Sequence, residues 1–211
     1  AASDVYKRQY QKAVSYAKER VQSRDLAGSP GPVAIIHHPD VKRMLMSMRA
    51  QVEASRALSY VTAAAFDGAH HHPDEATRNA HQAFYEFMVP IVKGWSTELS
   101  IDVTSTGVQV HGGMGFIEET GAAQYYRDAR ILTIYEGTTA IQANDLVGRK
   151  TVRDGGTFAK SLIAQVRATA TELGKSGSDD LKAIGKRLSE ASAALEDVVS
   201  FIASNGKSDI K

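Results

Sequence analysis

Residues Gly107–Arg149 read G-V-Q-V-H-G-G-M-G-F-I-E-E-T-G-A-A-Q-Y-Y-R-D-A-R-I-L-T-I-Y-E-G-T-T-A-I-Q-A-N-D-L-V-G-R. A glycine cluster (Gly112, Gly113, Gly115) comes first, then a polar run (Arg127, Asp128, Arg130), then a single acid, Glu136, behind Ile134 and Tyr135. Burial of Ile131, Leu132, Ile134 and Tyr135 would take Glu136 out of bulk water. Desolvation raises a carboxylate's pKa and makes it a better base near neutral pH. Gly137 permits a backbone conformation that a residue with a Cβ resists. Thr139-x-x-Gln142 has the form of a capping box, so a helix N-terminus with free amides is expected just beyond the acid. The plainer alternative is an acid that only complements the dipole of that helix.

The glycines have two readings: close approach of backbone to a ligand, or a helix stop followed by a turn, which the spacing favours. G-G-x-G follows a helical pattern rather than a strand, so it is not the dinucleotide fingerprint of a Rossmann unit. Arg127, Asp128 and Arg130 suit internal pairing or capping. His111 suits a packed or solvated helix end and is given no role.

Outward from this stretch the chain reads as all-α. Tyr10, Val14, Ala17 and Val21 recur at helical spacing over Gln9–Arg24, and the pattern stops at A-G-S-P-G-P, residues 27–32. Val41, Leu45, Met48, Val52, Ser55, Leu58 and Thr62 predict a helix over Asp40–Phe66. A link with His70, His71, His72 and Pro73 follows. Adjacent histidines rarely converge on a metal, so the link reads as a solvated loop. A third helix is expected over Asp74–Phe87. A fourth starts at Pro90 and runs to His111, with Ile91, Trp95, Leu99, Val103, Thr106 and Val110 as its buried stripe. A fifth spans Thr139–Arg149. Beyond Arg153-Asp154-Gly155-Gly156 lie two amphipathic helices, one with Phe158, Leu162, Val166 and Leu173, the other with Leu181, Ile184, Leu188, Leu195, Val199 and Ile202. These form an expected helical hairpin.

The bulk numbers narrow the function. Lys+Arg 25 against Asp+Glu 24 gives a net charge of +1 in 211 residues, without the basic footprint that nucleic acid requires. No cysteine is present, which excludes disulfides and thiol nucleophiles, suits a reducing compartment and leads to a cytoplasmic expectation. No apolar run approaches the length of a membrane span, and Ala1–Gln9 lack a signal-peptide core. The chain begins inside a helix with nothing N-terminal to pack it, which suggests part of a longer polypeptide.

Three linked motifs carry a family resemblance: Q-x-x-G-G-x-G-F from Gln109, R-D-A-R-I from Arg127, and I-Y-E-G-T-x-x-I-Q from Ile134. Together they resemble the C-terminal helical domain of the acyl-CoA dehydrogenase family, from about Tyr10 to Lys150. The resemblance implies a four-helix-bundle domain over 10–153 and a helical hairpin that starts an additional domain at 154–211. Residues 1–9 are left as a non-native or unmatched leader. Glu19-Arg20-Val21-Gln22, His38-Pro39-Asp40-Val41 and the extra hairpin resemble the larger bacterial branch, which includes 3-methylmercaptopropionyl-CoA dehydrogenases.

The resemblance also implies the chemistry: oxidation of an acyl-CoA thioester to the 2,3-enoyl-CoA by an FAD enzyme. It implies Glu136 as the α-proton base, and Tyr135 and Gly137 beside the substrate. Arg20 matches the arginine that meets the FAD pyrophosphate across a dimer interface, with Gln22 carried over beside it. Gln109 and Gly113 match the adenosine contacts, and Thr138 the threonine that meets FAD from the catalytic subunit. Electron-transfer flavoprotein or a similar acceptor, and a homodimer or homotetramer, are the implied partners. Ser23 stands where many members carry an aromatic residue, and Ala140 where many carry an acid. The family's N-terminal helical and β domains are not in this sequence, so the chain alone is expected to be inactive. An acyl-CoA oxidase, a flavin monooxygenase relative, and a non-catalytic helical oligomerisation module are the competing readings.

Overall fold

The structure, a computed structural model, describes residues 2–206. The first helix, α1 (Ala2–Glu19), starts well before the expected Gln9. Tyr6 and Gln9, inside the segment the sequence sets apart as a leader, are fully buried. The Tyr6 hydroxyl bonds Ser55 Oγ at 2.5 Å, and Ser55 in turn donates to Ser96 Oγ at 2.9 Å. Burial raises the Tyr6 pKa above its ordinary value. Gln9 Nε2 donates to Thr104 O at 3.0 Å, so a side chain of this segment ties α1 to a helix far along the chain.

The expected helix to Arg24 instead ends at Glu19. Val21–Arg24 (β1) pairs antiparallel with Pro32–Ala34 (β2), in the register Val21↔Ala34 and Arg24↔Pro32. Val21 is β-branched and favours a strand, and Ser23 has φ 59° where the pairing is irregular. A 3₁₀ turn, Ile35–His37, leads into α2 (Pro39–His71), which runs past the expected end at Phe66. Next comes α3 (Glu75–His111), one 37-residue helix that carries Pro90 inside it rather than at a start. Proline costs a backbone hydrogen bond there, and the full burial of its ring offsets part of that cost.

Short helices follow: α4 (Gly113–Phe116), α5 (Ala122–Leu132) and α6 (Thr139–Asn144). The last opens into a π-helical stretch, Asp145–Val152, in place of a regular helix to Arg149. The hairpin is α7 (Thr157–Gly174) and α8 (Asp179–Asn205). Asp154 starts it by accepting from the amides of Gly156 and Phe158 at 2.8 and 2.9 Å. The end of the tail, residues 207–211, lies outside the described residues.

By its contacts the chain divides into two units. The first comprises Ala1–Asp67 and Ile91–Gln142. Its core joins Tyr6, Ala13 and Ala17 of α1, Leu45, Met48 and Val52 of α2, and Leu99, Val103 and Val110 of α3. Of the α3 stripe read from sequence, Trp95 is 41% exposed, while Leu99, Val103 and Val110 are buried.

The second unit comprises Gly68–Pro90 and Ala143–Lys211. There α8 faces α7 with Gly185, Ser192 and Val199, and a Cβ at Gly185 would lie 2.9 Å from Ala170 O. Of the apolar series read along α8, Val199 is buried, but Leu181, Ile184 and Leu195 are 40%, 54% and 51% exposed. Small residues permit the close helix approach, so the larger side chains turn away. Among the described residues no helix is long and apolar enough to cross a membrane, and no group of three His, Cys, Asp or Glu is placed to hold a metal. His70 and His71 sit in the last turn of α2 rather than in a loop.

Candidate active site

All the site residues read from the sequence fall in the first unit, and all but Gly113, which lies beside the cavity residue Gly112 without lining it, gather in two places. The first is a cavity of about 380 Å³ lined by Tyr16, Arg20, Gln22, His38, Gln109 and Gly112, among others. The end of α1 brings Arg20, the irregular strand β1 brings Gln22, and the last turn of α3 brings Gln109. His38 Nε2 donates to Gln22 O at 2.7 Å and so holds the strand at the cavity wall.

His111 backs the wall. Its ring stacks on Tyr16 at 4.4 Å, and its Nδ1 donates to Gly107 O at 2.7 Å. Burial lowers its pKa below the ordinary imidazole value, the Gly107 carbonyl opposes that, and Lys12 adds to it. Helix α3 stops where Gly112 takes φ 59°. Gly113, one residue on, has an ordinary φ, and a Cβ there would meet no atom within 4 Å. Nothing in the chain's own packing requires a glycine at that position.

The second place is the turn between α5 and α6. Glu136 has φ 53° and Gly137 φ 95°. A positive φ is costly for a residue with a Cβ and persists where the surroundings over-determine it. Glu136 is exposed. The expected apolar cover is incomplete: Leu132 is buried, but Ile131, Ile134 and Tyr135 are 51%, 47% and 39% exposed. The turn lifts the acid and its apolar neighbours into solvent together.

The expected capping box also differs. Thr138, not Thr139, serves as the cap, with its Oγ1 accepting from Ile141 N at 3.4 Å. Thr139 Oγ1 donates instead to Glu98 Oε1 of α3, and Gln142 Nε2 reaches back to Gly137 O at 3.5 Å. None of Tyr135, Glu136, Gly137 and Thr138 lines the first cavity.

A residue that the sequence reading passed over, Lys93, holds this turn, and the Arg127–Arg130 run makes internal contacts beside it. Lys93 Nζ donates to Tyr135 O at 3.1 Å and Leu132 O at 3.4 Å, and lies 4.7 Å from the centre of the Tyr135 ring. Arg130 Nη1 donates to Thr133 Oγ1 at 2.6 Å. Arg127 pairs with Glu118 at 3.1 Å, so the R-D-A-R run is engaged within the chain. No local signal marks Lys93, which reads as one more cation on a long helix.

Residues 2–150 match the family described as acyl-CoA dehydrogenase, C-terminal domain. The chain belongs to the acyl-CoA dehydrogenase family. It is 56% identical to a 3-methylmercaptopropionyl-CoA dehydrogenase of Ruegeria pomeroyi, over 90% of this chain and 32% of that protein. It is 39% identical to a broad-specificity linear acyl-CoA dehydrogenase of Mycobacterium tuberculosis, over 75% of this chain and 27% of that one. The chain thus spans no more than a third of the length of these acyl-CoA dehydrogenases. Among solved structures, an acyl-CoA dehydrogenase from Bacillus anthracis complexed with FAD superposes with a TM-score of 0.63 at 22% identity. That match covers 96% of this chain, hairpin included, and 37% of the other, and it shows the shared fold.

Proposed function

We propose that this chain is the C-terminal part of an FAD-dependent acyl-CoA dehydrogenase in which Glu136 takes the α-proton of the acyl-CoA thioester. The observation that carries the reading is the backbone of the Glu136 turn. A non-glycine residue held at φ 53° and pointed at solvent is a cost without return in packing, and such strain clusters at functional sites. A carboxylate aimed outward can reach a substrate lodged against it, and its removal from water is left to that substrate and to the domains around it.

The cavity fits one end of a dinucleotide. Arg20 supplies a cation for a pyrophosphate, and Gln22 and Gln109 supply amides. Arg20, Gln22, Gln109 and Gly113 would hold the adenosine and pyrophosphate end of FAD, and Thr138 would meet the cofactor beside Glu136. Flavin, when bound, accepts the hydride that leaves Cβ of the acyl chain.

The residues of this chain supply the other half of the oxidation. Glu136 removes the proton from Cα, its backbone amide donates to the thioester carbonyl, and Tyr135 and Gly137 flank the acyl group. The cavity and the turn occupy separate places in the chain, as expected where one subunit of a homodimer or homotetramer completes the cofactor site of the next. Residues 154–211 are read as the start of an additional helical domain, and electron-transfer flavoprotein as the acceptor. The likeness to the Ruegeria pomeroyi enzyme supports a 3-methylmercaptopropionyl-CoA or other short acyl-CoA substrate.

The test is Glu136→Gln in the intact enzyme that carries this segment. General-base loss predicts a drop in enoyl-CoA formation of about 10³-fold with a dye acceptor, and acyl-CoA binding retained. A variant that keeps its rate would remove Glu136 from the chemistry. The 211-residue chain alone is expected to turn over no acyl-CoA.

A further inference from the structure

The Glu136 turn is strained and closed by its own backbone, Tyr135 N donating to Ile131 O at 3.1 Å and Thr139 N to Thr133 O at 3.4 Å, and further groups hold it from outside. The holding groups come from α3. Lys93 Nζ grips the Tyr135 and Leu132 carbonyls from one side. Glu98, five residues and just over one turn further along, accepts from Thr139 Oγ1 on the other side. Between them Gly94 leaves space for Gln142, whose Cβ would lie 3.4 Å from a Cβ placed at Gly94. Gln142 returns the contact by donating to Gly137 O. The turn is therefore held before and after Glu136 by a helix whose intervening residues Ser96 and Thr97 are buried.

The Lys93 contact reaches further than anchorage. Tyr135 O and the Glu136 N–H belong to the same peptide group. A cation on a carbonyl oxygen draws electron density through the amide and makes the N–H on the other side a stronger donor, as hydrogen bonds in series polarise one another. Lys93 thereby acts on the one amide that the proposed mechanism uses, while its ammonium also lies 4.7 Å from the centre of the Tyr135 ring. We infer that Lys93 is a positioning residue. It fixes the Glu136 turn, and it polarises the Tyr135–Glu136 peptide so that the Glu136 N–H binds an anionic or developing-anionic oxygen such as an enolising thioester carbonyl. Glu98 holds the far side of the same turn. The catalytic part of this inference rests on the function proposed above.

Two measurements test it separately. In the 211-residue chain, amide resonances and hydrogen exchange are compared for wild type, Lys93→Met and Lys93→Arg. Lys93→Met keeps most of the stem and removes the charge. The Glu136 and Gly137 amides are expected to exchange about 10-fold faster, with the Glu136 amide shifted, while helical circular dichroism is unchanged. Lys93→Arg restores a donor and is expected to return both signals most of the way. Should Lys93→Met fail to fold, Lys93→Gln removes the same charge with a polar side chain and provides the same readout. In the intact enzyme, Lys93→Met is expected to lower kcat about 10-fold with KM nearly unchanged, since a slightly misplaced group costs rate more than binding. Exchange and shift at Glu136 that do not respond to Lys93→Met would overturn the inference and leave the base assignment intact. A loosened turn in Lys93→Met, beside a Glu136→Gln enzyme at full rate, would keep the grip and remove its catalytic purpose.

Discussion

The Arg20–Gln109 cavity is walled by side chains from α1, β1, the 3₁₀ turn, α2 and α3, whereas the Glu136 turn stands in solvent and is gripped from behind. In the cavity, which is open to solvent, the chain supplies several converging ligand groups, among them the exposed Arg20, Gln22 and Gln109. At the turn it supplies direction only. Glu136 is exposed, and Ile131, Ile134 and Tyr135 beside it are exposed as well. One helix, α3, serves both places: its last turn brings Gln109 and His111 to the cavity, and its middle brings Lys93 and Glu98 to the turn. A rigid helix between two half-sites keeps each in a fixed place in the same unit. The proposed assembly needs this if each half-site is to meet its complement on a neighbour.

Arg20 should separate binding from folding most sharply. Among the described residues its guanidinium makes no ion pair, so Arg20→Gln should leave chain stability within about 0.5 kcal/mol. A lost charged contact to a pyrophosphate costs about 1.5–3 kcal/mol, or roughly 10- to 100-fold in FAD affinity of the intact enzyme. Flavin fluorescence on dilution measures it. Unchanged affinity would reduce the cavity to a surface feature.

The glycines sharpen the same contrast. At Gly137 a methyl group would enter at φ 95° and lie 2.8 Å from Gln142 Nε2, so Gly137→Ala should lower stability by about 1–2 kcal/mol in chemical denaturation. At Gly113 the methyl meets nothing, so Gly113→Ala should leave stability unchanged and weaken FAD instead. Equal losses of stability at the two positions would erase the distinction between a turn that the chain itself constrains and an opening kept for a ligand.

The sequence showed the helices through their 3.6-residue period, and it showed the site through three motifs close together in the chain. It was least informative where long-range packing decides. Gln9 is an ordinary polar residue until Thr104 O meets it from nearly a hundred residues away. Pro90 reads as a boundary because proline breaks helices locally, and only the full burial of its ring shows why the helix continues. The period along α8 picks out Leu181, Ile184 and Leu195, but the hairpin closes on Gly185 and Ser192, because two backbones that approach closely need small residues between them. Lys93 was invisible for a related reason: its function lies in two carbonyls about forty residues downstream, and carbonyls leave no mark in a sequence.

The smallest expected effect falls on His111, the histidine that sequence alone left without a role. Its folded pKa lies below the ordinary imidazole value, chiefly because burial disfavours the charged ring. The unfolded chain therefore binds more protons at this position than the folded one. Stability from His111 is fully present above the unfolded value, near pH 6.5, and is lost as pH falls from there towards the lower folded value. His111→Asn keeps a donor near the Nδ1 position for Gly107 O but carries no titrating ring. The fall in Tm between pH 8 and pH 5 should therefore be shallower in His111→Asn than in wild type. Identical slopes would mean that the ring gains its proton without disturbing its stack on Tyr16. A shallower slope would make this cavity wall sensitive to acid.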